Sequence, residues 1–359
     1  MTDDNDPLAP YDFALPDERI ARVPTPERDA ARMLCLDEGG EFADRTVREL
    51  TGRLRSGDVL VVNDVRVHPA RLRARRATGG HVEVLLVRPG AGTEESPPVD
   101  AAVWEALVRP AKKLREGEIL TCGEGTVTIV SRLASGAMVV RCEPDVTTLT
   151  ASAGEVPLPP YMGRAATADD VGRYQTVYAR PGMLAAAAPT AGLHLTPRLL
   201  AEIDAIGVER VNVTLEVGLG TFQPLRDEQL ASGKLHDERF FVPPETWAGV
   251  QKAKLAGRRV VAVGTTSVRV LESMTGPGAG STTMFIRDGY RFHTVDALLT
   301  NFHLPRSSLL MLVSAFGGRE RVLSAYHHAL GAGYRFYSYG DCMFLTPATA
   351  TEHGAPRPG

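Results

Sequence analysis

DVLVVN (58–63) decides how this chain is read. Four consecutive aliphatic residues with no polar alternation suit a strand buried on both faces, as in a sheet covered by helices on either side. At its end the texture changes. Between residues 66 and 143 six short β-rich runs follow one another: 70–76, 81–87, 103–108, 118–122, 126–132 and 137–142. TGG (78–80), the stretch 90–98, GEG (123–125) and SG (135–136) separate them. Short strands with Gly-rich turns predict a small barrel or sandwich, here inserted into a larger unit. Upstream, 32–36 reads as a strand and 46–54 as a helix. Order is expected from YDFALP (11–16) onward, with residues 1–10 disordered. The segment 147–180 is Pro-rich and reads as mostly irregular. Beyond it strands and helices alternate: helices at 198–206, 244–256, 267–274 and 319–330, a mixed or helical stretch at 307–316, and strands at 208–217, 259–263, 283–286 and 334–339. The fold class is therefore α/β, a layered mixed-sheet domain (1–65 and 150–345) with an inserted small β-barrel (66–149) and a mobile tail (346–359).

Composition narrows the function. A length of 359 residues accommodates two domains. The net charge of −3 argues against coating nucleic acid by bulk charge, while a local basic patch stays open. Cys35, Cys122, Cys142 and Cys342 form no C-x-x-C pair, which predicts reduced, buried thiols and neither a zinc site nor a disulfide framework. The acidic start MTDDNDPLAP has no secretory pattern, and the longest apolar run, 309–316, is too short to span a bilayer. A cytoplasmic protein without metal is expected. There is no phosphate-binding G-x-x-x-x-G-K-[ST] and no G-x-S-x-G elbow.

Several motifs carry chemistry. AAAAPTAGLHLTP (185–197) turns at Thr190 and Gly192, presents His194, and enters a helix with Thr196 as N-cap and Pro197 at the first position. Such a loop leaves backbone N–H groups for an anion, and it also serves as a plain connector. Gly218, Gly220, Thr221 and Phe222 follow a strand, where a flat ligand or sugar can approach; the bland alternative is a turn. In GTTSVR (264–269), Thr265, Thr266, Ser267 and Arg269 suit a carboxylate or ribose, or else an ordinary cap. In KLHDE (234–238), His236 and Glu238 point to one side if extended, which suits acid–base work or a solvated loop. Asn301 and His303 are a polar pair in an apolar frame, where a lone histidine is more often hydrogen-bonded core than a catalyst. Asp341 closes the expected last strand at its carboxyl end. Arg66, Arg71, Arg73 and Arg75, with Arg109, Lys112 and Lys113, form basic clusters on the β module suited to phosphates, or a solvated sheet face.

Taken together, YDFALP (11–16), GDVLVVNDVRVHPARL (57–72), WEALVRPAKKL (104–114), LPPYMGR (158–164), APTAGLHLT (188–196), VTLEVGLGTFQPLR (213–226), VVAVGTTSVRVLES (260–273), VDALLTNFHLPRSSLLMLVSAF (295–316) and YRFYSYGDCM (334–343) resemble the S-adenosylmethionine:tRNA ribosyltransferase-isomerase family. The resemblance implies transfer of the ribosyl unit of S-adenosylmethionine, a co-substrate rather than a cofactor. The acceptor is 7-aminomethyl-7-deazaguanine at the tRNA wobble position. The ribosyl unit rearranges to give epoxyqueuosine, and adenine and methionine leave. Chemistry starts by removing a proton next to the sulfonium. His194 or His236 is the expected base, and Glu238 and Asp341 orient it or protonate adenine. Thr265, Thr266, Ser267 and Arg269 hold the methionine carboxylate or ribose, with Thr190, Gly192, Asn301 and His303 as further substrate contacts. Gly218, Gly220, Thr221 and Phe222 frame the adenosine, and the basic clusters meet tRNA. A monomer is expected. Glu216 stands where the family usually has His, Gly233 takes the place of a second His, the run 182–188 departs, and Leu195 replaces Phe. These departures keep a second reading open, a paralogue with a non-tRNA acceptor. A third, a non-catalytic RNA-binding module, has no need of the GLH, GLGTF and GTTS motifs.

Overall fold

The computed structural model describes residues 6–37, 41–89, 102–133, 135–180, 184–216 and 225–348. The first strands are β1 (Arg32–Leu36), β2 (Phe42–Thr46), β3 (Val59–Asn63) and β4 (Arg66–Val67). Then come β5 (Arg71–Arg76), β6 (His81–Pro89), β7 (Val103–Arg109), β8 (Ile119–Cys122), β9 (Gly125–Arg132) and β10 (Met138–Glu143). After helix α1 (Val146–Ala153) follow β11 (Gly154–Glu155), α2 (Ala168–Arg173), β12 (Leu184–Ala185), α3 (Pro197–Ala205), β13 (Glu209–Leu215) and α4 (Asp227–Ser232). The chain continues through β14 (Lys234–Val242), α5 (Pro244–Leu255), β15 (Val260–Val263), α6 (Gly264–Ser273), β16 (Gly278–Met284) and β17 (Ala297–Asn301). It ends in α7 (Ser308–Gly317), α8 (Arg319–Gly331) and β18 (Cys342–Leu345).

Nine strands form one sheet in the order β16-β14-β13-β3-β15-β17-β18-β1-β2. Its centre, β13-β3-β15-β17, is parallel. The aliphatic run in β3 sits in the middle, and its side chains alternate between two cores. Val59 and Val61 pack with α5 to α8; Leu60 and Val62 pack with α3 and the 3-10 helix Val47–Arg53. Burial on both faces is why no polar alternation was written into this strand.

The six expected strands of the β module close on themselves in the order β5-β6-β7-β10-β9-β8, with β8 pairing back to β5. Closure removes the exposed edges an open sheet would present. Its interior is filled by residues such as Leu72, Val84, Ala106, Leu120, Val127 and Val140. β11 adds to β5 through Gly154↔Leu72 and Glu155↔Arg71.

Four expectations are corrected. Residues 6–10 are ordered: Leu8 is buried and Asp6 pairs with Arg306 at 2.7 Å. The segment 147–180 is more regular than expected: it holds most of α1, β11 and α2, and α1 is capped by Asp145, whose carboxylate accepts from the Thr148 N–H at 2.9 Å. The start of the tail is bonded: Thr346 N–H donates to the Leu36 carbonyl and Ala348 N–H to that of Phe316, while 349–359 lie outside the described residues. The last strand is β18 and not 334–339. That aromatic stretch is spent on packing: Phe302 lies 4.8 Å from Phe336, 5.6 Å from Tyr334 and 5.1 Å from Tyr326, ring centre to ring centre. The backbone turns at Tyr337, with φ of 72°, to deliver these rings. Because Phe302 is fully buried at the hub of this cluster, Phe302→Ala should lower unfolding free energy by about 3–5 kcal/mol, read from guanidinium denaturation at unchanged m-value.

Candidate active site

The parallel strands β3, β15 and β17 end on one edge of the sheet, the edge where α/β sheets bind ligands. A cleft opens there. Two loops follow β15 and β17. Gly264, at φ of 86°, turns the chain directly from β15 into α6, a backbone conformation that favours glycine, and brings Thr265 and Thr266 to the wall. Asn301, the last residue of β17, and His303 just beyond it line the cleft. The third wall is the 3-10 turn Thr190–His194. Gly192 is required there by space, since a Cβ would lie 1.9 Å from the Tyr178 hydroxyl oxygen. Thr196 caps α3 as expected, its Oγ1 accepting from the Leu199 N–H at 3.1 Å, and Pro197 is the first helical residue.

Asn301 joins these parts. Its Nδ2 donates to the Tyr337 carbonyl at 3.0 Å and lies 3.1 Å from His194 Nε2. A carbonyl only accepts, so the amide nitrogen faces it, and His194 Nε2 must then offer its lone pair. His194 is a neutral imidazole with its proton on Nδ1. Burial lowers its pKa to about 4, with the charges of Arg335 and Arg28 pushing the same way. Asn301 Oδ1 and Thr266 Oγ1 are buried without a hydrogen-bond partner among the described residues. His303 Nε2 is 2.8 Å from Thr300 Oγ1, and burial lowers its pKa to about 3. The rings of Tyr161 and Tyr337 stack at 4.1 Å on the same cleft, and the Tyr161 hydroxyl is hydrogen-bonded to Ser338 Oγ. Among the described residues no cluster of His, Cys, Asp and Glu is grouped to hold a metal, and no helix is long and apolar enough to cross a membrane.

The model of the family described as "Queuosine biosynthesis protein" matches residues 8–345. The chain belongs to this family. Its relatives include proteins named S-adenosylmethionine:tRNA ribosyltransferase-isomerase. The one from Pelobacter propionicus is 48% identical, across 93% of this chain and 98% of the relative. That from Methylobacterium radiotolerans is also 48% identical, across 95% and 98%. The crystal structure of S-adenosylmethionine tRNA ribosyltransferase from Thermotoga maritima is similar at 33% identity and a TM-score of 0.53, covering 94% of this chain and 100% of that one.

In this member of the queuosine biosynthesis family, Thr190, Thr265, Thr266, Asn301 and His303 come together on one cleft, as the motifs suggest. His194 stands one hydrogen bond behind it. Gly218, Gly220, Thr221 and Phe222 lie outside the described residues. Glu216 is half-buried, and burial raises its carboxyl pKa. Other expectations need correcting. Ser267 is turned into the helix, its hydroxyl donating to the Val263 carbonyl at 2.8 Å. Arg269 meets a carboxylate of the chain itself, Glu238, and donates to the Thr282 carbonyl at 3.3 Å. His236 and Glu238 do not share a side: the register of β14 against β16 shifts between Lys234 and Glu238, leaving His236 exposed and Glu238 buried. Asp341 enters β18 rather than ending a strand, and its two oxygens accept from the Arg32 and Arg335 N–H groups at 2.9 and 2.8 Å. On the barrel, Arg71, Arg73 and Arg75 alternate with buried residues as expected, but Arg73 is held bidentately by Glu155 (2.6 and 3.0 Å) and Arg71 lies 3.5 Å from Glu83. Arg66, Arg75, Arg109, Lys112 and Lys113 are exposed. Tyr161, Tyr337 and Ser338 were not singled out: their motifs were visible, but their meeting across the chain was not. The four cysteines are free and buried.

His68, like His194, is buried with its pKa lowered to about 4. An unfolded histidine titrates near 6.5, so between that value and 4 the unfolded chain binds more protons. Stability is thus full above pH 6.5 and falls with acidification, by about 1.4 kcal/mol per pH unit for each such histidine. Denaturant unfolding at pH 7.5 and 5.5 should show this loss, and His68→Gln should remove one histidine's share of it.

Proposed function

We propose that this chain transfers and isomerises the ribosyl moiety of S-adenosylmethionine onto 7-aminomethyl-7-deazaguanine in tRNA. The products are epoxyqueuosine in tRNA, adenine and methionine. The names of its relatives support this reading. The observation in the chain that carries it is the pair of unpartnered buried atoms, Asn301 Oδ1 and Thr266 Oγ1, at the cleft on the carboxyl ends of β15 and β17. A buried acceptor without a donor costs stability unless a ligand supplies one. S-adenosylmethionine offers an adenine amino group and a methionine ammonium, donors that such acceptors can take. The Tyr161–Tyr337 stack gives the same wall an aromatic face for a purine-like base.

Removing a proton next to the sulfonium needs a base that is unprotonated at working pH. His303 on the cleft and His194 behind it both meet this through burial. His194 stands behind the cleft with its Nε2 lone pair committed to Asn301, whereas His303 lines it; with Nε2–H donating to Thr300 Oγ1, His303 keeps its Nδ1 lone pair and is the proposed base, and His194 is a positioning residue that fixes the Asn301 amide. Thr265, Thr266 and Thr190 bind substrate. In the same proposal, residues 1–65 and 150–345 form the catalytic unit, and the barrel, 66–149, presents Arg66, Arg75, Arg109, Lys112 and Lys113 to tRNA. The protein acts as a cytoplasmic monomer without a metal. A non-catalytic RNA-binding role is not favoured, because it gives the buried acceptors nothing to bind.

Incubating the protein with S-adenosylmethionine and tRNA bearing the aminomethyl base, then weighing the nucleosides, should show epoxyqueuosine with matching release of adenine. Adenine release that ignores the tRNA would point to another acceptor. His303→Ala and Asn301→Ala should each lower turnover by ~10²-fold or more, whereas the exposed His236→Ala should change it little. A full rate in His303→Ala would remove it as the base.

A further inference from the structure

Arg28 and Arg173 are two guanidinium groups held by main-chain carbonyls rather than by carboxylates. Arg28 donates from Nη1 to the Leu193 carbonyl at 3.0 Å and from Nη2 to the Gly172 carbonyl at 2.6 Å. Arg173 donates from Nη1 to the Pro26 carbonyl at 2.8 Å and from Nη2 to that of Thr25. Main-chain carbonyls satisfy hydrogen bonds but carry no net charge. Among the described residues neither arginine has an ion-pair partner, although most arginines around them do. Arg48 binds Glu27 and Asp29, and Arg198 binds Asp29 and Glu202. These six groups, Arg28, Arg48, Arg173, Arg198, Glu27 and Asp29, line one open groove, four cations against two carboxylates. The N-terminus of α3, at Thr196 and Pro197, opens into it as well. Burial and the charge of Arg173 both push the Arg28 pKa down, as expected of two like charges held close.

The groove adjoins the cleft. A smaller recess between the two is lined by Arg28, Arg173, His194 and Ser338, and Ser338 also lines the cleft. Arg28 holds the carbonyl of Leu193, the residue before His194. A group bound at the arginine pair would therefore sit next to the turn that walls the cleft.

We propose that Arg28 and Arg173 form a phosphodiester-binding site that seats the tRNA backbone beside the nucleotide entering the cleft. This rests on the tRNA reading above and goes beyond it by moving the principal backbone contact from the barrel to the edge of the catalytic unit. Each guanidinium uses two of its five N–H donors on carbonyls, which orients the rest without neutralising the charge. Arg71 and Arg73 of the barrel, by contrast, already face Glu83 and Glu155.

The test is binding of unmodified tRNA to the full chain as a function of salt, alongside KM for S-adenosylmethionine. Arg28→Gln with Arg173→Gln should weaken tRNA binding ~10-fold or more and reduce the slope of log K against log salt by roughly one to two. KM for S-adenosylmethionine should stay within about twofold. Arg28→Lys with Arg173→Lys keeps the charge and should retain most of the affinity and slope, which separates lost contact from lost fold. Arg73→Gln should have little effect. Unchanged tRNA affinity and slope in the folded Gln variant would overturn the proposal. So would a rise in KM for S-adenosylmethionine at constant tRNA affinity, which would make the pair a site for the methionine carboxylate. A wild-type chain that binds no tRNA would overturn the functional reading itself, and this site with it.

Discussion

The side chain of Asn301 holds the active-site edge together. Its single NH₂ group donates to the Tyr337 carbonyl and to His194 Nε2, so one amide ties the end of β17 to the turn 190–194 and to the loop 334–340. Both partners are acceptors, which leaves no freedom to flip the amide, and the oxygen is aimed where nothing in the described chain meets it. The arrangement works only while His194 stays neutral. Burial ensures that, at the cost of a pH-dependent stability. Tyr337, held at positive φ, is part of the same device: the strained backbone supplies the carbonyl for Asn301 and the ring that stacks on Tyr161.

Charge is distributed by a related rule. Buried or half-buried arginines are mostly matched by carboxylates, as Arg269 is by Glu238, Arg259 by Asp58 and Arg164 by Asp170. Breaking such a pair strands a charge in a poorly solvated place, and this holds them as structural units. Against that background Arg28 and Arg173, like Arg335, are bound by main-chain carbonyls instead, and of the three only Arg28 and Arg173 line the open groove. The barrel is less basic in effect than its composition suggests, because cross-strand register places Glu83 between Arg73 and Arg109 on its outer face.

Much of the site was legible because its residues follow strand ends in the sequence. GTTS after β15 and NFH after β17 are local signals, and the sheet edge collects them without further information. Where reading failed, a non-local contact intervened. The stretch 334–339 has the aromatic content of a strand but packs as a ring cluster against Phe302 and Tyr326, which only the fold supplies. Alternation placed His236 and Glu238 together, and a register shift against β16 separated them. Asp341, a carboxylate beside a strand, is taken by two backbone N–H groups, one from Arg32 far back in the chain.

What the sequence determined by itself was the architecture and the family: an apolar run without alternation can only be buried on both faces, and short alternating runs with Gly-rich turns close into a barrel. It also named most of the cleft. The tertiary structure alone decided which polar atoms remain available there. A hydrogen-bond donor or a charge is spent or free according to what it meets in space, and those partners lie 36 residues away for Asn301 and Tyr337 and 107 for Asn301 and His194. Sequence order carries no record of such meetings.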